Sequence, residues 1–403
     1  MQVYNLITII IVLTAIFGYL NYRFIKLPGT IGIMLISLIA SLFVIGAGNY
    51  FPDLFKQTTY FIDSINFDKA LMNVMLSFLL FAGAIHVDVD KLKKELTSVI
   101  TFATIGVLIS TAVIAILVFL VSKTLAVPLG IIDCLLFGAL ISPTDPIAVL
   151  AILKQANIPE SLETKISGES LFNDGVAVVV FVTIFEISIA GVENVSAGKV
   201  AWLFIKEAGG GIMFGWALGY IGFLALRSID RYIIEVGITL AIVMGGYSLA
   251  SYLHVSGPLA MVIAGIITGN KSRQHGMSVV TRDYLDKFWE MLDEFLNGIL
   301  FLLIGFEMLV IHFNTTLFWF GCISVIIVLI ARLISVAVPI FFLKFKKTFE
   351  KHALAILTWG GLRGGISVAL ALSLPKSPVN DILVSITYII VLFSIIVQGL
   401  TIG

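Results

Sequence analysis

The chain has 403 residues, of which 59% are hydrophobic and 12% charged, and its 25 basic side chains balance 25 acidic ones. So little charge excludes a water-soluble globular enzyme, and apolar runs of about 20 residues recurring from end to end exclude a membrane barrel, whose strands are short and alternating. Zero net charge gives no reason to expect nucleic acid or a soluble charged partner, and leaves membrane lipid as the expected surrounding.

The fold class read from this pattern is all-α and polytopic. The first run, residues 3–20, carries neither a basic leader nor a small-residue cleavage pattern and leads into Asn21-Tyr22-Arg23, so it reads as a retained span. In chain order, spans are predicted near 3–22, 29–48, 70–86, 98–122, 131–152, 167–190, 200–225, 232–250, 256–269, 290–311, 317–343, 352–374 and 381–402, thirteen in all. The eighth and ninth are divided at Ser256-Gly257-Pro258, a turn signal inside a continuous apolar stretch. Cys134 and Cys322 fall in separate apolar segments, where packing rather than a disulfide is expected.

Lys and Arg are biased toward cytoplasmic loops, so their distribution sets the orientation. The loops after odd-numbered spans hold seventeen of the 25 basic residues, among them Lys91, Lys93, Lys94 and Lys165, and those after even-numbered spans hold six. This places the N-terminus outside and the C-terminus in the cytoplasm. The two basic residues left, Arg332 and Arg363, fall near the middle of predicted helices and need buried partners.

Three carboxylates stand inside apolar runs: Asp145 in Ser142-Pro143-Thr144-Asp145-Pro146, and Glu169 and Asp174 in Gly168-Glu169-Ser170-Leu171-Phe172-Asn173-Asp174-Gly175. Set against Arg332 and Arg363 they leave one carboxylate over, which needs a proton or a cation. Glu169 with Arg332 reads as a buried ion pair that fixes two helices. Asp133, Glu186, Glu235 and Glu307 lie near predicted helix ends, where reaching the membrane interface explains them. Ser170 and Asp174 are four apart, as are Glu169 and Asn173, so one helix presents two adjacent polar stripes. Pro143 and Pro146 bracket Asp145 and should break the fifth span, freeing backbone carbonyls where a transporter's site is expected. The glycines of Trp359-Gly360-Gly361-Leu362-Arg363-Gly364-Gly365 permit a second break, in the twelfth span. Spans five and twelve run in opposite directions, as an inverted repeat of spans 1–6 and 8–13 requires.

Two other classes fit the residues less well. A cation channel would show carboxylate rings or a carbonyl filter, and neither is apparent. A hydrolase would need a nucleophile with a base, or metal ligands, and His86, His254, His275, His312 and His352 are scattered. The chain is therefore read as a transporter and not as an enzyme, with no cofactor.

Ser142-Pro143-Thr144-Asp145-Pro146-Ile147-Ala148-Val149, the Gly168–Asp174 segment and Gly360-Gly361-Leu362-Arg363-Gly364-Gly365 resemble the signatures of monovalent cation/proton antiporters of the NhaP and sodium/hydrogen exchanger type, over nearly the whole chain. The resemblance implies a homodimer in the plasma membrane of a prokaryotic cell, working by elevator-like alternating access. It divides the chain into dimerisation helices (1–97 and 231–312), core helices (98–190 and 313–403) and a linker helix (191–230). Carried over by motif, Asp174 resembles the ion-binding carboxylate, and Ser170 and the Thr144 backbone its neighbouring ligands for a monovalent cation. Asn173 and Asp145 resemble the network that supports the broken helix, Glu169 and Arg332 the buried pair, and Arg363 the arginine of the second crossing helix. Some relatives place an acidic residue in the third span, where this chain has Leu79-Leu80-Phe81-Ala82-Gly83-Ala84. Asn173-Asp174, rather than two aspartates, resembles one-for-one electroneutral exchangers. The exchange implied is of sodium for a proton, with potassium (or sodium) moved electrogenically as the alternative, and a cation channel after that.

Overall fold

The computed structural model describes residues 2–48, 50–63, 65, 67–146, 149–150, 158–191, 196–275, 278–311, 314–345 and 349–402, and among them every regular element is helical. In order these are α1 (Tyr4–Ile25), α2 (Gly29–Ala47), α3 (Pro52–Asp63), α4 (Phe67–Ile85), α5 (Val89–Thr124), α6 (Ile131–Ile141), α7 (Glu160–Ala190) and α8 (Gly198–Arg227). They continue with α9 (Tyr232–Tyr252), α10 (Gly257–His275), α11 (Val279–Glu307), α12 (Thr315–Leu343), α13 (Ala353–Trp359), α14 (Gly365–Leu372) and α15 (Pro378–Thr401). Nine of the described helices are long and apolar enough to cross a bilayer. Helices overlap every predicted span, and α3, too polar to register as a span, is an addition. Residues 151–152 of the fifth span, Ile147, Ala148 and His312 lie outside the described residues.

Helix ends account for most boundary differences. The α5 helix starts at Val89 rather than 98 because Asp88 caps it, its carboxylate accepting from the Asp90 and Lys91 amides. Ser278 does the same for α11 through the Thr281 amide, so that helix begins well before 290. Hydropathy misses such polar first turns. The α7 helix likewise begins at Glu160 and carries Lys165, counted above as a loop residue, into a buried position. There Glu95 of α5 lies 3.6 Å and Glu350 3.2 Å from its Nζ, and these carboxylates make burial of the ammonium tolerable.

Buried apolar side chains fall into two clusters. One joins α4, α9, α10 and the first half of α11, with Phe81, Val243, Met261 and Trp289 at its centre. The larger joins α6, the second half of α7, α12, α14 and α15, through Phe137, Val179, Phe320, Ala369 and Tyr388. Large apolar side chains elsewhere point outward, Trp202, Trp216, Trp319, Phe341 and Phe342 among them, as a lipid-facing surface requires. Cys134 and Cys322 are both free thiols. Asp133 bonds the Gly130 amide at the start of α6 and Glu186 is exposed, both in keeping with interfacial positions. Glu235 on α9 and Glu307 at the end of α11 are not: both are buried within the protein.

Candidate functional site

Both predicted breaks are present, and they touch. The α6 helix ends at Ile141, Ser142 to Pro146 are not helical, and the Asp145 amide donates to the Leu362 carbonyl at 2.8 Å. Leu362 belongs to the unwound segment 361–364 between α13 and α14. Proline at 143 and 146 denies the chain a helical continuation, and glycine lets the two backbones meet. A Cβ on Gly364 would stand 2.5 Å from the Asp145 carboxylate, and one on Gly361 2.5 Å from Arg332 Nε.

Arg363 departs from expectation. Its Nη1 donates to the Ser142 and Pro143 carbonyls, the latter at 2.9 Å, instead of meeting a carboxylate. The end of a broken helix offers unpaired carbonyls with partial negative charge, and a guanidinium can be stabilised there without a formal anion. Its own amide donates to Ser394 Oγ at 2.8 Å, and Gln398 Nε2 to the Trp359 carbonyl at 2.9 Å, so α15 splints the second break.

Glu169 and Arg332 do meet. Arg332 Nη1 bonds one carboxylate oxygen, Nη2 the other at 3.1 Å, and Nε donates to the Leu357 carbonyl at 3.1 Å. Glu169 is 1% exposed, so this two-point pair is screened from water and its charges cancel inside the protein.

The other polar residues of α7 hold Thr144. Asn173 accepts from the Thr144 amide at 3.3 Å and donates to Thr144 Oγ1 at 2.7 Å, and Ser170 Oγ lies 3.0 Å from the same Oγ1. Thr144 in turn borders a cavity of about 120 Å³, together with Asp145, Asp174 and Ser167, at the seam of the two clusters. Ser170 and Asn173 are not on its wall; they stand behind Thr144. Asp174 and Asp145 are only partly buried and face the cavity. The volume suits a monovalent cation with a few waters. Among the described residues no three His, Cys, Asp or Glu side chains converge closely enough to hold a metal ion, so a multi-carboxylate chelate is not what the arrangement offers.

The opposite wall brings residues that sequence reading missed. Leu76, Leu79, Leu80 and Gly83 of α4 contribute no charge, whereas α11 contributes Asp293, Asn297 and Leu300, and α14 contributes Ser367. Asp293 lies just inside the predicted tenth span, and the sequence alone gives it no role. The available signal was its place in a row at helical spacing, Thr281, Leu285, Trp289 and Asn297, all buried.

A second pocket shares Ser167 with the cavity and is lined by His86, Asp88, Lys91, Glu160, Glu163 and Thr164. The Lys91 amide, and after it that of Asp90, holds Asp88 below the usual carboxylate range. Lys91 pairs with Glu160 at the edge of this pocket.

A sequence profile described as sodium/hydrogen exchanger, transmembrane, matches residues 10–403. The Na(+)/H(+) antiporter NhaP of Pseudomonas aeruginosa is 48% identical over 408 residues, which cover 99% of this chain and 95% of that protein. The Na(+)/H(+) antiporter NhaH of Halobacillus dabanensis is 33% identical over 389 residues, 94% of this chain and 91% of that one. In fold the chain is similar to the sodium proton antiporter MjNhaP1 of Methanocaldococcus jannaschii, with a TM-score of 0.75 over 99% of this chain and 97% of the other at 19% identity.

Proposed function

The chain belongs to the transmembrane sodium/hydrogen exchanger family, and from that premise we propose that it exchanges sodium for protons across a membrane, both ions competing for Asp174. The observation that carries this reading is the pairing pattern on α7. Glu169 is neutralised by Arg332, while Asp174 borders a cavity beside the neutral oxygens of Thr144. A carboxylate so placed can hold one proton or one monovalent cation, and Asn173, engaged with Thr144, adds no titrating group. With Asp174 as the one group that trades its proton for the cation, the exchange is one-for-one and electroneutral.

Mechanistically, the broken helices form the cation's cradle. Thr144 supplies its hydroxyl, oriented by Ser170 and Asn173, and the charge on Arg363 steadies the carbonyl end of α6. Cation binding displaces the proton from Asp174. The core, α5–α7 with α12–α15, then carries the occupied site past α4 and α11, which remain with the dimer-forming helices of a homodimer. In the orientation read from the basic residues, Lys91 lies at the cytoplasmic side. The second pocket, which shares Ser167 with the cavity, lies on that side, and we read the inner face as the open one. The setting is a prokaryotic plasma membrane, with the N-terminus outside.

Proteoliposomes carrying an imposed pH gradient test this. Added sodium should collapse the gradient, and an imposed membrane potential should drive no net transport. Collapse that requires a charge-compensating ion would replace the exchanger with a channel. Potential-driven transport would shift the reading to electrogenic exchange with a second titrating group on the cavity.

A further inference from the structure

The wall of the cavity facing Asp174 is more polar than a passive wall needs to be. Asp293 and Asn297 sit one turn apart on α11 and both line it. Asn297 is 1% exposed, and neither atom of its amide completes a hydrogen bond of normal geometry, although the Asp293 carboxylate is beside it. Ser367, on α14, is equally enclosed, lines the same space, and has a hydroxyl without a partner. Burying such groups with nothing to bond is costly, so their convergence on one small cavity points to an occupant that bonds them.

The charge of the lining says what kind of occupant. Its ionisable side chains are three carboxylates, Asp145, Asp174 and Asp293, and no basic residue is among the lining residues. Asp145 is within electrostatic reach of both of the others. The occupant is therefore a cation or its hydration water. The carboxylates do not converge as a chelate, so each can serve a separate, singly charged ion.

We propose that Asp293, with the Asn297 amide and the Ser367 hydroxyl, forms a second cation station, which holds a partly hydrated monovalent cation before it passes to Asp174. The inference rests on the exchange reading above. Asn297 Oδ1 and Ser367 Oγ replace part of the hydration shell, and Asp293 supplies the charge that makes partial dehydration tolerable. Asp293 is thus a positioning residue for the incoming ion: it sets the sodium concentration at which transport half-saturates more than the rate of exchange at Asp174.

The test is a sodium titration in proteoliposomes of the full chain, with proton movement read by a pH dye. One charge lost at this range should raise half-saturating sodium about fivefold to tenfold in Asp293→Asn, with a smaller fall in maximal rate. Asp293→Glu, which restores the charge, should recover most of the affinity. Raising ionic strength with choline chloride should weaken the wild type more than Asp293→Asn, because only the wild type has that field to screen. Asn297→Ala carries the same expectation in weaker form, so the inference stands or falls on it even where Asp293→Asn does not assemble. Wild-type half-saturation in these variants overturns the second station while leaving exchange at Asp174 intact. A loss of maximal rate alone, not recovered by Asp293→Glu, overturns it as well. A wild type that moves no protons on sodium addition overturns the exchange reading itself.

Discussion

Glu169 and Asp174 are carboxylates five residues apart on α7, inside the same apolar stretch, and their surroundings differ in every respect that matters to a charge. Five residues turn a helix by roughly 140° beyond one full revolution, so the two side chains leave it on different faces. One face looks at Arg332 on α12 and finds a guanidinium that takes both its oxygens. The other borders a cavity lined by leucines, prolines and glycines together with the Thr144, Ser167 and Ser367 hydroxyls and two further carboxylates. The first is finished chemistry, since its charge is spent on a partner that cannot leave. The second remains available to whatever enters. What separates the two acids most is the partner across the gap, a guanidinium for Glu169 and an open cavity for Asp174.

The largest effect that can break this contrast is on Asp174. Asp174→Ala should lose all sodium-driven proton movement in the dye assay and still elute as the wild type on gel filtration. Retained gradient collapse would remove the residue from the transport role. Next comes the pair: Glu169→Gln or Arg332→Met alone should cost about 3–5 kcal/mol, because each leaves a charge or a polar partner buried and unanswered. The double variant should cost less than the two single losses together. Detergent melting of all three decides it, and simple additivity would mean that the two residues do not depend on each other.

A smaller effect sharpens the contrast from the side of Asp174. If sodium binds only the ionised carboxylate, apparent affinity falls about tenfold for each pH unit below its titration point. Half-saturating sodium should then climb as the medium is acidified while the maximal rate changes less. A half-saturation indifferent to pH would assign proton and cation to different groups. The smallest effect is at the α7 N-terminus, where Glu350 serves Lys165 as Arg332 serves Glu169, but nearer water. Burial acts against the ionised form of Glu350, yet the Ser161 hydroxyl, then its own backbone amide and then the Lys165 ammonium outweigh it and keep the group below its usual value of 4.5. A depressed carboxylate stabilises the fold above that usual value and loses its contribution as pH falls through the lowered one. Glu350→Gln should thus cost about 1 kcal/mol at neutral pH. Melting curves of variant and wild type should converge in acid, and a difference that persists there would point to lost packing instead.

Much of this was legible before any coordinates. Hydropathy located the helices because lipid demands long apolar runs. Proline and glycine located both breaks because each acts on its own backbone. Arg363 was misjudged, since a search for its partner among side chains overlooks the carbonyls that a break exposes. Asp293 goes unnoticed for a different reason: it stands at the start of the predicted span 290–311, and only the buried row Thr281, Leu285, Trp289 and Asn297 on the same face shows that it turns inward. Helical spacing pairs Ser170 with Asp174 and Glu169 with Asn173, whereas the structure sets Ser170 and Asn173 together on Thr144, because spacing cannot tell the wall of a cavity from the layer behind it.

The crossing at Gly361 and Gly364 also bears on how such a protein can change over generations. Every missense change of a glycine codon introduces at least a methyl group. At these two positions that methyl would land on Arg332 Nε and on the Asp145 carboxylate. No one-step mutational path therefore leads away from either glycine without striking a charged group on another segment. A lineage could relax the crossing only by altering both colliding partners together, so divergence among descendants of this chain should accumulate at the lipid-facing aromatics and leave the crossing as a fixed point.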